Sequence, residues 1–498
     1  MNKNLSIKNS HLLEFKSDQM KIPTVFHVSE KLLPDQKTFD QLENLAKDER
    51  LFHHIAAMSD VHPKKGRKNP TGTIVASKKH LFPQINDTAP NCGMRFIRTD
   101  LDETSLSTEK INALFKELVE VIPTKKYLGT KISFKDVLEI CKYGSRPLQE
   151  KFQTRTKNEI ENTFERGNLM TKENVSDEDI FSSIPKLFLH TAKYRTGILG
   201  AAGNHFLDLM KITEIKNNEI AQKFNLRVGQ YIFLLHTGSG LIGQYASYMY
   251  TPKKKEHLSQ QIMFKLGTAF LSAETQKIYK GIERKIREYE NKDEFLGYDA
   301  DSVEGRMYLT AHEAAGNFGF ANRLVLNHHL DHALEKVLGR QVDLDLLYDM
   351  PHIMNRKETH FGENVWVHRN GTVRANGPER MKGHSLFEQT GEPVFIPSSM
   401  STPAYLGVGT NENESSFFSA SHGTGRRAKV EDESPKDKEE LFKNMEKAQV
   451  RLYNAASSGV ILQDSSYYKD VEEVISGMED NKIINAAVKM QPVAVLMY

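Results

Sequence analysis

Cysteine is nearly absent from this chain: Cys92 and Cys141 are the only two in 498 residues. Two thiols cannot build a disulfide framework, so each has to be judged by its own surroundings. Long apolar runs are missing too. No stretch approaches the roughly 18 residues of a membrane-spanning helix, and the first residues, MNKNLSIKNSHLLEFK, are polar with no apolar signal core. This excludes a spanning protein, no membrane partner is expected, and the expected compartment is the cytoplasm. Nor does charge of one sign dominate. Lys and Arg number 67 against 65 Asp and Glu, a net +2, a field too weak to imply nucleic acid on its own. A local basic groove would still suffice to bind it.

What is present is the composition of a soluble globular protein, with 39% hydrophobic and 27% charged residues. The length would permit two to four domains. Along the chain, 23–40 reads as loop, and QLENLAKDERLFHHIAAM (41–58) reads as a helix. A loop with Pro63, Gly66, Pro70 and Gly72 then leads to a strand, TGTIVA. In GMRFIRTDL, after Cys92, the residues Met94, Phe96 and Arg98 alternate with Arg95, Ile97 and Thr99, the pattern of a second strand. Two amphipathic helices are expected in 106–145 and polar helix and loop in 150–185. The apolar strand in VGQYIFLLHTGSGLIG delivers His236 to a Gly-Ser-Gly turn. Residues 255–340 read as helical, 346 onward as strands and turns, and 428–450 as a charged linker and helix. His328 and His332 share a helix face at i, i+4, but no metalloprotease carboxylate motif accompanies them, and a solvated face is expected there.

His422 stands out in SASHGTGR, followed by Gly423, Gly425 and Arg426. Glycines allow close backbone approach, and the arginine offers a planar fork of donors suited to phosphate. Taken alone, the eight residues fit a phosphate loop and an exposed turn equally well. Cys92, His205, His236, His352 and His422 each end an apolar run beside Gly, Asn or Pro, far apart in sequence. That is no zinc-finger spacing. It suits a site assembled from several strand ends, with thiolate and imidazole donors for Mn, Fe, Ni, Zn or a similar ion.

Ten blocks occur in one order: SDVHP, NCGMRFIRTDL, LGAAGNHFLDL, HTGS, NFGFANR, YDMPH, VHRNGTVRA, GEPVFIPSSMSTPAY, SHGTGR and YYKD. In these the chain resembles the RtcB-type RNA ligases from about Ser59 to its end. The resemblance implies an α+β fold in which a single catalytic domain spans 1–498, with stacked mixed sheets, flanking helices and a central metal cleft. Residues 1–58 would be an N-terminal extension. It implies ligation of RNA 3′-phosphate or 2′,3′-cyclic phosphate ends to 5′-hydroxyl ends, using GTP and two Mn ions. Cys92 would bridge the metals, His236 and His352 would complete one and His205 would belong to the other. His422 would be the guanylated nucleophile, while Asn204, Ser399, Gly423, Gly425 and Arg426 would line the nucleotide site. RNA ends, a guanine nucleotide and an activating protein are the implied partners.

The chain departs from the family pattern at chemical positions. Ala89 stands where a metal-ligating aspartate is expected three residues before the cysteine, and Asp87 would lie about 6 to 7 Å further along a strand. Gly240 replaces an RNA-phosphate arginine, Ile353 an asparagine and Asn370 a lysine. At the guanine contacts Ala404 replaces a serine, Met497 a lysine, and Asp208 is the shorter acid. These departures keep two alternatives open: a single-metal paralogue acting as an RNA-end phosphoesterase, and a non-catalytic RNA-binding protein.

Overall fold

Side chains on a β-strand alternate between two faces, and in this computed structural model that alternation builds two stacked sheets with a cleft between them. Residues 3–63, 67–86, 89–122, 129–200, 204–253, 257–427 and 434–497 are described. One sheet has seven strands in the spatial order Leu5–Asn9, Leu12–Phe15, Thr24–Phe26, Phe52–His62, Thr71–Ser77, Glu363–Asn370 and Ile353–His360. The other runs Asp345–Pro351, Gly93–Arg98, Tyr231–Thr237, Phe206–Ile215, Ile484–Met497, Ala404–Gly409 and Pro393–Ile396. Arg451–Tyr453 joins it parallel to Ile484–Met497. Both sheets are mixed, since Thr24–Phe26 also pairs in parallel with Phe52–His62.

Met94, Phe96, Ile232 and Leu234 pack in one core with Phe26, Ile55, Ile74 and Val367 of the facing sheet. Residues of opposite parity, Ile97, Phe233 and Leu235, pack with Leu114, Phe115 and Leu330 from the helices Thr108–Val121 and Val303–Leu338. The α+β architecture and the alternation of Met94 and Phe96 with Ile97 are therefore as expected. A further helical layer, including Phe134–Tyr143, Gly240–Tyr250 and Ala273–Glu290, packs around the long helix Val303–Leu338. No helix among the described residues is long and apolar enough to cross a membrane.

Some local expectations fail. The helix expected over 41–58 is a helix only over Gln36–Leu45, capped by Asp35, whose carboxylate accepts from the Thr38 amide at 2.9 Å. Its second half is the strand Phe52–His62, buried on both faces over most of its length. A strand covered on both sides loses the polar alternation that would distinguish it from a helix. Residues 23–40 are likewise less loop-like than expected, with a strand at Thr24–Phe26 and a helix from Gln36. The strands Leu5–Asn9, Leu12–Phe15 and Thr24–Phe26 make the N-terminal residues part of the seven-stranded sheet. The histidine face of the long helix is only partly solvated. His332 is exposed, whereas His328 packs near Phe152, ring centroids 5.1 Å apart, and His329 shares a 2.9 Å hydrogen bond with Thr130. Within 428–450 the helix spans Lys438–Lys447.

His27 and His54 bind the N-terminal strands to the rest of the molecule, both donating from Nε2 to the Ser415 carbonyl at 3.2 and 2.7 Å. Burial pushes their pKa values down to about 4 and about 3. As pH falls below the unfolded value of about 6.5, the unfolded chain takes up protons that the folded one refuses, so stability is complete above that pH and declines below it. The slope is at most roughly 1.4 kcal/mol per pH unit for each histidine. Urea unfolding between pH 7 and pH 4.5 should show this decline, and His54→Gln should make it shallower by about one proton. An unchanged slope would contradict the assignment.

Candidate active site

Three inward-facing rows end together. Tyr348 and Met350 share the inter-sheet core with Met94, Phe96, Ile232 and Leu234, and each row continues by the same parity to a donor: Cys92, His236 and His352. Met94 lies opposite both His236 and Met350 in the sheet. The His352 amide donates to the Cys92 carbonyl and the Asn91 amide to the Ile353 carbonyl, both at 2.8 Å. The result is a cluster in which Cys92 Sγ is 3.4 Å from His236 Nε2, and His236 Nε2 is 3.0 Å from His352 Nε2. One donor atom from each of the three lies within 4.8 Å of the others. His205 approaches the same sulfur separately, its Nε2 at 3.4 Å.

These donors suit a metal ion. His236 Nδ1 is held by the Asn204 carbonyl at 3.0 Å and His205 Nδ1 by the Leu199 carbonyl at 2.8 Å. A carbonyl can only accept, so each ring carries its proton on Nδ1 and turns a lone pair on Nε2 toward the sulfur, the arrangement that orients histidine ligands. Tetrahedral coordination with bonds of about 2.1 Å to nitrogen and 2.3 Å to sulfur puts donor pairs about 3.4 to 3.6 Å apart. The two Sγ–Nε2 spacings of 3.4 Å match this, and the Nε2–Nε2 spacing of 3.0 Å is somewhat shorter. Burial, then the nearby His205 and His422, holds the His236 pKa well below its ordinary value. Burial brings His205 to about 4, the Leu199 carbonyl opposing and Arg323 reinforcing the shift. Both are neutral at pH 7, as ligands must be.

His422 lies against this cluster, its ring stacked on His352 at 4.2 Å and 22°. Its Nδ1 donates to the Gly371 carbonyl at 2.7 Å and lies 3.5 Å from Asp60 Oδ2. In the neutral ring the lone pair is thus on Nε2, the atom available as a nucleophile. Burial alone would raise the Asp60 pKa, but His62, His422 and Lys469 together hold it at about 2, a permanent anion behind the histidine. Gly425, at φ 81, brings the loop so close to this anion that a Cβ would lie 2.5 Å from the Asp60 Cα. His236, His352 and His422 line a cavity of about 410 Å³ that Asn204, Ser399, Gly423, Gly425 and Arg426 also line. Arg426 is turned onto the wall: Nη1 donates to the Leu462 carbonyl at 2.6 Å and Nη2 to Gln463 Oε1 at 3.2 Å. Ser399 Oγ lies 3.0 Å from the Thr402 hydroxyl.

A family model described as tRNA-splicing ligase RtcB matches residues 41–497. The chain belongs to the RtcB family. Among curated relatives, the tRNA-splicing ligase RtcB of Nanoarchaeum equitans is 28% identical, the alignment covering 97% of this chain and 96% of that one. The protein of the same name from Methanococcus maripaludis is 27% identical over 96% and 95%. RNA-splicing ligase RtcB homolog 1 of Entamoeba histolytica is 26% identical over 82% of this chain and 72% of its own.

Within this RtcB-family site the departures are spread around the cluster, the cavity wall and the helix that starts at Gly240. Beside the sulfur, Ala89 offers only a backbone carbonyl, which accepts from the Cys92 amide at 2.8 Å, and Asp87 lies outside the described residues. Across the cavity, Asn370, Ile353, Ala404, Met497 and Asp208 all form part of the wall. Burial raises the Asp208 carboxyl well above the usual range, and its Oδ1 has no hydrogen-bond partner among the described residues. Gly240 is exposed at the start of its helix. Sequence reasoning missed Asp60 and Lys469 as part of the site, although SDVHP and YYKD contain them. Lys469 Nζ donates to the carbonyls of Leu32 and Ser59, and burial lowers its pKa to about 8 against the pull of Asp60. The only local signal was a charged residue beside each loop, which reads as solvated until the fold buries it.

Replacing the shared sulfur tests the cluster. Cys92→Ser should lose bound transition metal by elemental analysis after dialysis, with affinity down at least about tenfold. Cys141→Ser, in the helical layer, should retain it. Equal metal content in both variants would rule out Cys92 as a ligand.

Proposed function

We propose that this chain is a GTP- and Mn-dependent RNA ligase that joins 3′-phosphate or 2′,3′-cyclic phosphate ends to 5′-hydroxyl ends through a guanylated His422. The observation that carries this reading is the His422 ring itself, fixed by the Gly371 carbonyl in front of Asp60 and stacked on His352 beside the Cys92 cluster. His422 Nε2 would attack the α-phosphorus of GTP, breaking the bond to the β-phosphate and releasing pyrophosphate. A cyclic end is first opened by water to the 3′-phosphate, the 2′-oxygen leaving as a hydroxyl; the 3′-phosphate oxygen then displaces histidine from the guanylate, and the 5′-hydroxyl oxygen attacks the 3′-phosphorus, gives its proton to solvent and expels GMP. The Gly371 carbonyl keeps the imidazole oriented, and Asp60 balances the positive charge that forms on it. Cys92, His236 and His352 would hold one ion and His205 with Cys92 a second; such ions neutralise charge on the phosphoryl oxygens. Incubation with Mn and α-labelled GTP should label the unaltered protein and leave His422→Ala unlabelled. Absence of label on both would reject this reading.

A second reading is favoured by Ala89, which supplies no side-chain donor: a single-metal paralogue that opens or removes RNA-end phosphates. It requires phosphate release from a 3′-phosphate or cyclic end without nucleotide, and one ion per chain rather than two.

The nucleobase is the point at which the cavity differs most from the family pattern. A lysine contact to guanine is a charge-assisted hydrogen bond of about 1.5 to 3 kcal/mol, and Met497 makes none. Discrimination between GTP and ATP in the labelling reaction should therefore be weak, and Met497→Lys should raise it by about tenfold or more. An unchanged ratio would remove Met497 from the base contacts.

A further inference from the structure

Arg323 is fully buried in the middle of the long helix Val303–Leu338 and takes no part in the chemistry above. Its Nη1 donates to the carbonyls of Asn91 at 3.1 Å and Thr237 at 2.7 Å, and its Nη2 to Asn91 Oδ1 at 2.7 Å. Its Nε donates to Asp349 Oδ1 at 2.9 Å. Asn91 immediately precedes Cys92, Thr237 immediately follows His236, and Asp349 lies three residues before His352. One rigid, planar group thus touches the residues next to Cys92 and His236 and the strand that leads to His352. We propose that Arg323 is a positioning residue that locks the three donor-bearing segments in register, so that the metal-binding geometry exists before an ion arrives. This rests on the metal reading of the Cys92 cluster.

An ordinary buried ion pair does not account for the arrangement. Asp349 is already met by Arg95, whose Nε and Nη2 both lie 2.9 Å from Oδ2, and Arg95 also reaches Glu159 at 2.8 Å. Buried ion pairs are in any case weak sources of stability compared with apolar packing. What Arg323 adds is a fan of donors fixed in one plane, which a lysine ammonium cannot spread over the same acceptors. The neighbouring backbone makes room for it. A Cβ on Gly93 would lie 3.0 Å from both Nη atoms and 2.4 Å from the Met350 carbonyl oxygen, so the residue after Cys92 has to be glycine for the guanidinium to come this close.

The test uses Co(II) alone, without nucleotide, read by its thiolate charge-transfer absorption and by competition with a chelator, while circular dichroism and thermal unfolding report the fold. Arg323→Lys should fold and bind Co(II) about 10- to 100-fold more weakly, with an altered absorption band, the scale on which groups supporting metal ligands act. Arg95→Lys disturbs the same ion network but leaves the Arg323 contacts at Asn91 and Thr237, next to Cys92 and His236, in place, and should lower the thermal midpoint while leaving Co(II) affinity within about twofold. Unaltered affinity in Arg323→Lys overturns the proposal, and so does an equal loss in both variants. Should Arg323→Lys fail to fold, Asn91→Gly decides. It keeps the positive φ of Asn91, at 52°, and removes its side-chain acceptor. Weaker Co(II) binding by it supports the proposal, and unchanged binding overturns it. Failure of His422 labelling alongside these Co(II) results would reject the ligase reading and leave the positioning role standing. No Co(II) binding by the unaltered protein would overturn the proposal.

Discussion

Three neighbouring strands that end at one level with the same face inward are the constraint on which this structure depends. Because side chains alternate, a shift of one residue in any strand would turn its donor toward the helices and replace it with a residue of the wrong chemistry. The apolar residues behind the donors prevent this. Met94 and Phe96, Ile232 and Leu234, and Tyr348 and Met350 are buried between the sheets, and a one-residue slip would turn the charged Arg95 and Asp349 into that core in their place. Core packing and donor placement are thus one requirement.

Charge is distributed around the cluster with the same economy. The histidines that face the sulfur, His236 buried and His205 half-buried, are neutral, so they offer lone pairs rather than protons. The permanent anion, Asp60, lies behind His422 and is held ionised by His62, His422 and Lys469. This division suits a transfer reaction on phosphorus, in which a neutral imidazole has to become transiently cationic while the phosphoryl charge meets a cation on the other side.

Where the chain leaves the family pattern, Ala89 and Ile353 adjoin the cluster and the other changes lie in the cavity wall. Cys92, His205, His236, His352 and His422 converge, while Ala89 removes a donor on one side and Met497 and Ala404 make part of the cavity wall apolar. Burial raises the Asp208 carboxyl well above its ordinary range, and its Oδ1 has no hydrogen-bond partner among the described residues. In the proposed reaction the residues assigned to attack are retained, and the departures fall on residues that would meet the ions and the base.

Much was legible in local pattern. The alternation through Met94, Phe96 and Ile97, the strand that carries His236 to its glycine turn and the helices of 255–340 follow from periodicity over a few residues, while the α+β class comes from the resemblance carried by the ten blocks. Local pattern failed for Phe52–His62, because burial on both faces erased the alternation, and for His329, which a distant threonine partly covers. The donor residue types and their place at strand ends were also visible. Their convergence was not, since Cys92 and His236 are 144 residues apart and His236 and His352 are 116 apart. Likewise Asp60 and Arg323 carry no local mark of their roles: only the packing of the long helix and the glycine loop against the strand ends brings them there. By itself the sequence determined which side chains each strand would turn inward, because that depends on neighbours along the chain. Which of those side chains would meet, and with what protonation, only the tertiary structure decided, because contact and desolvation depend on neighbours across space.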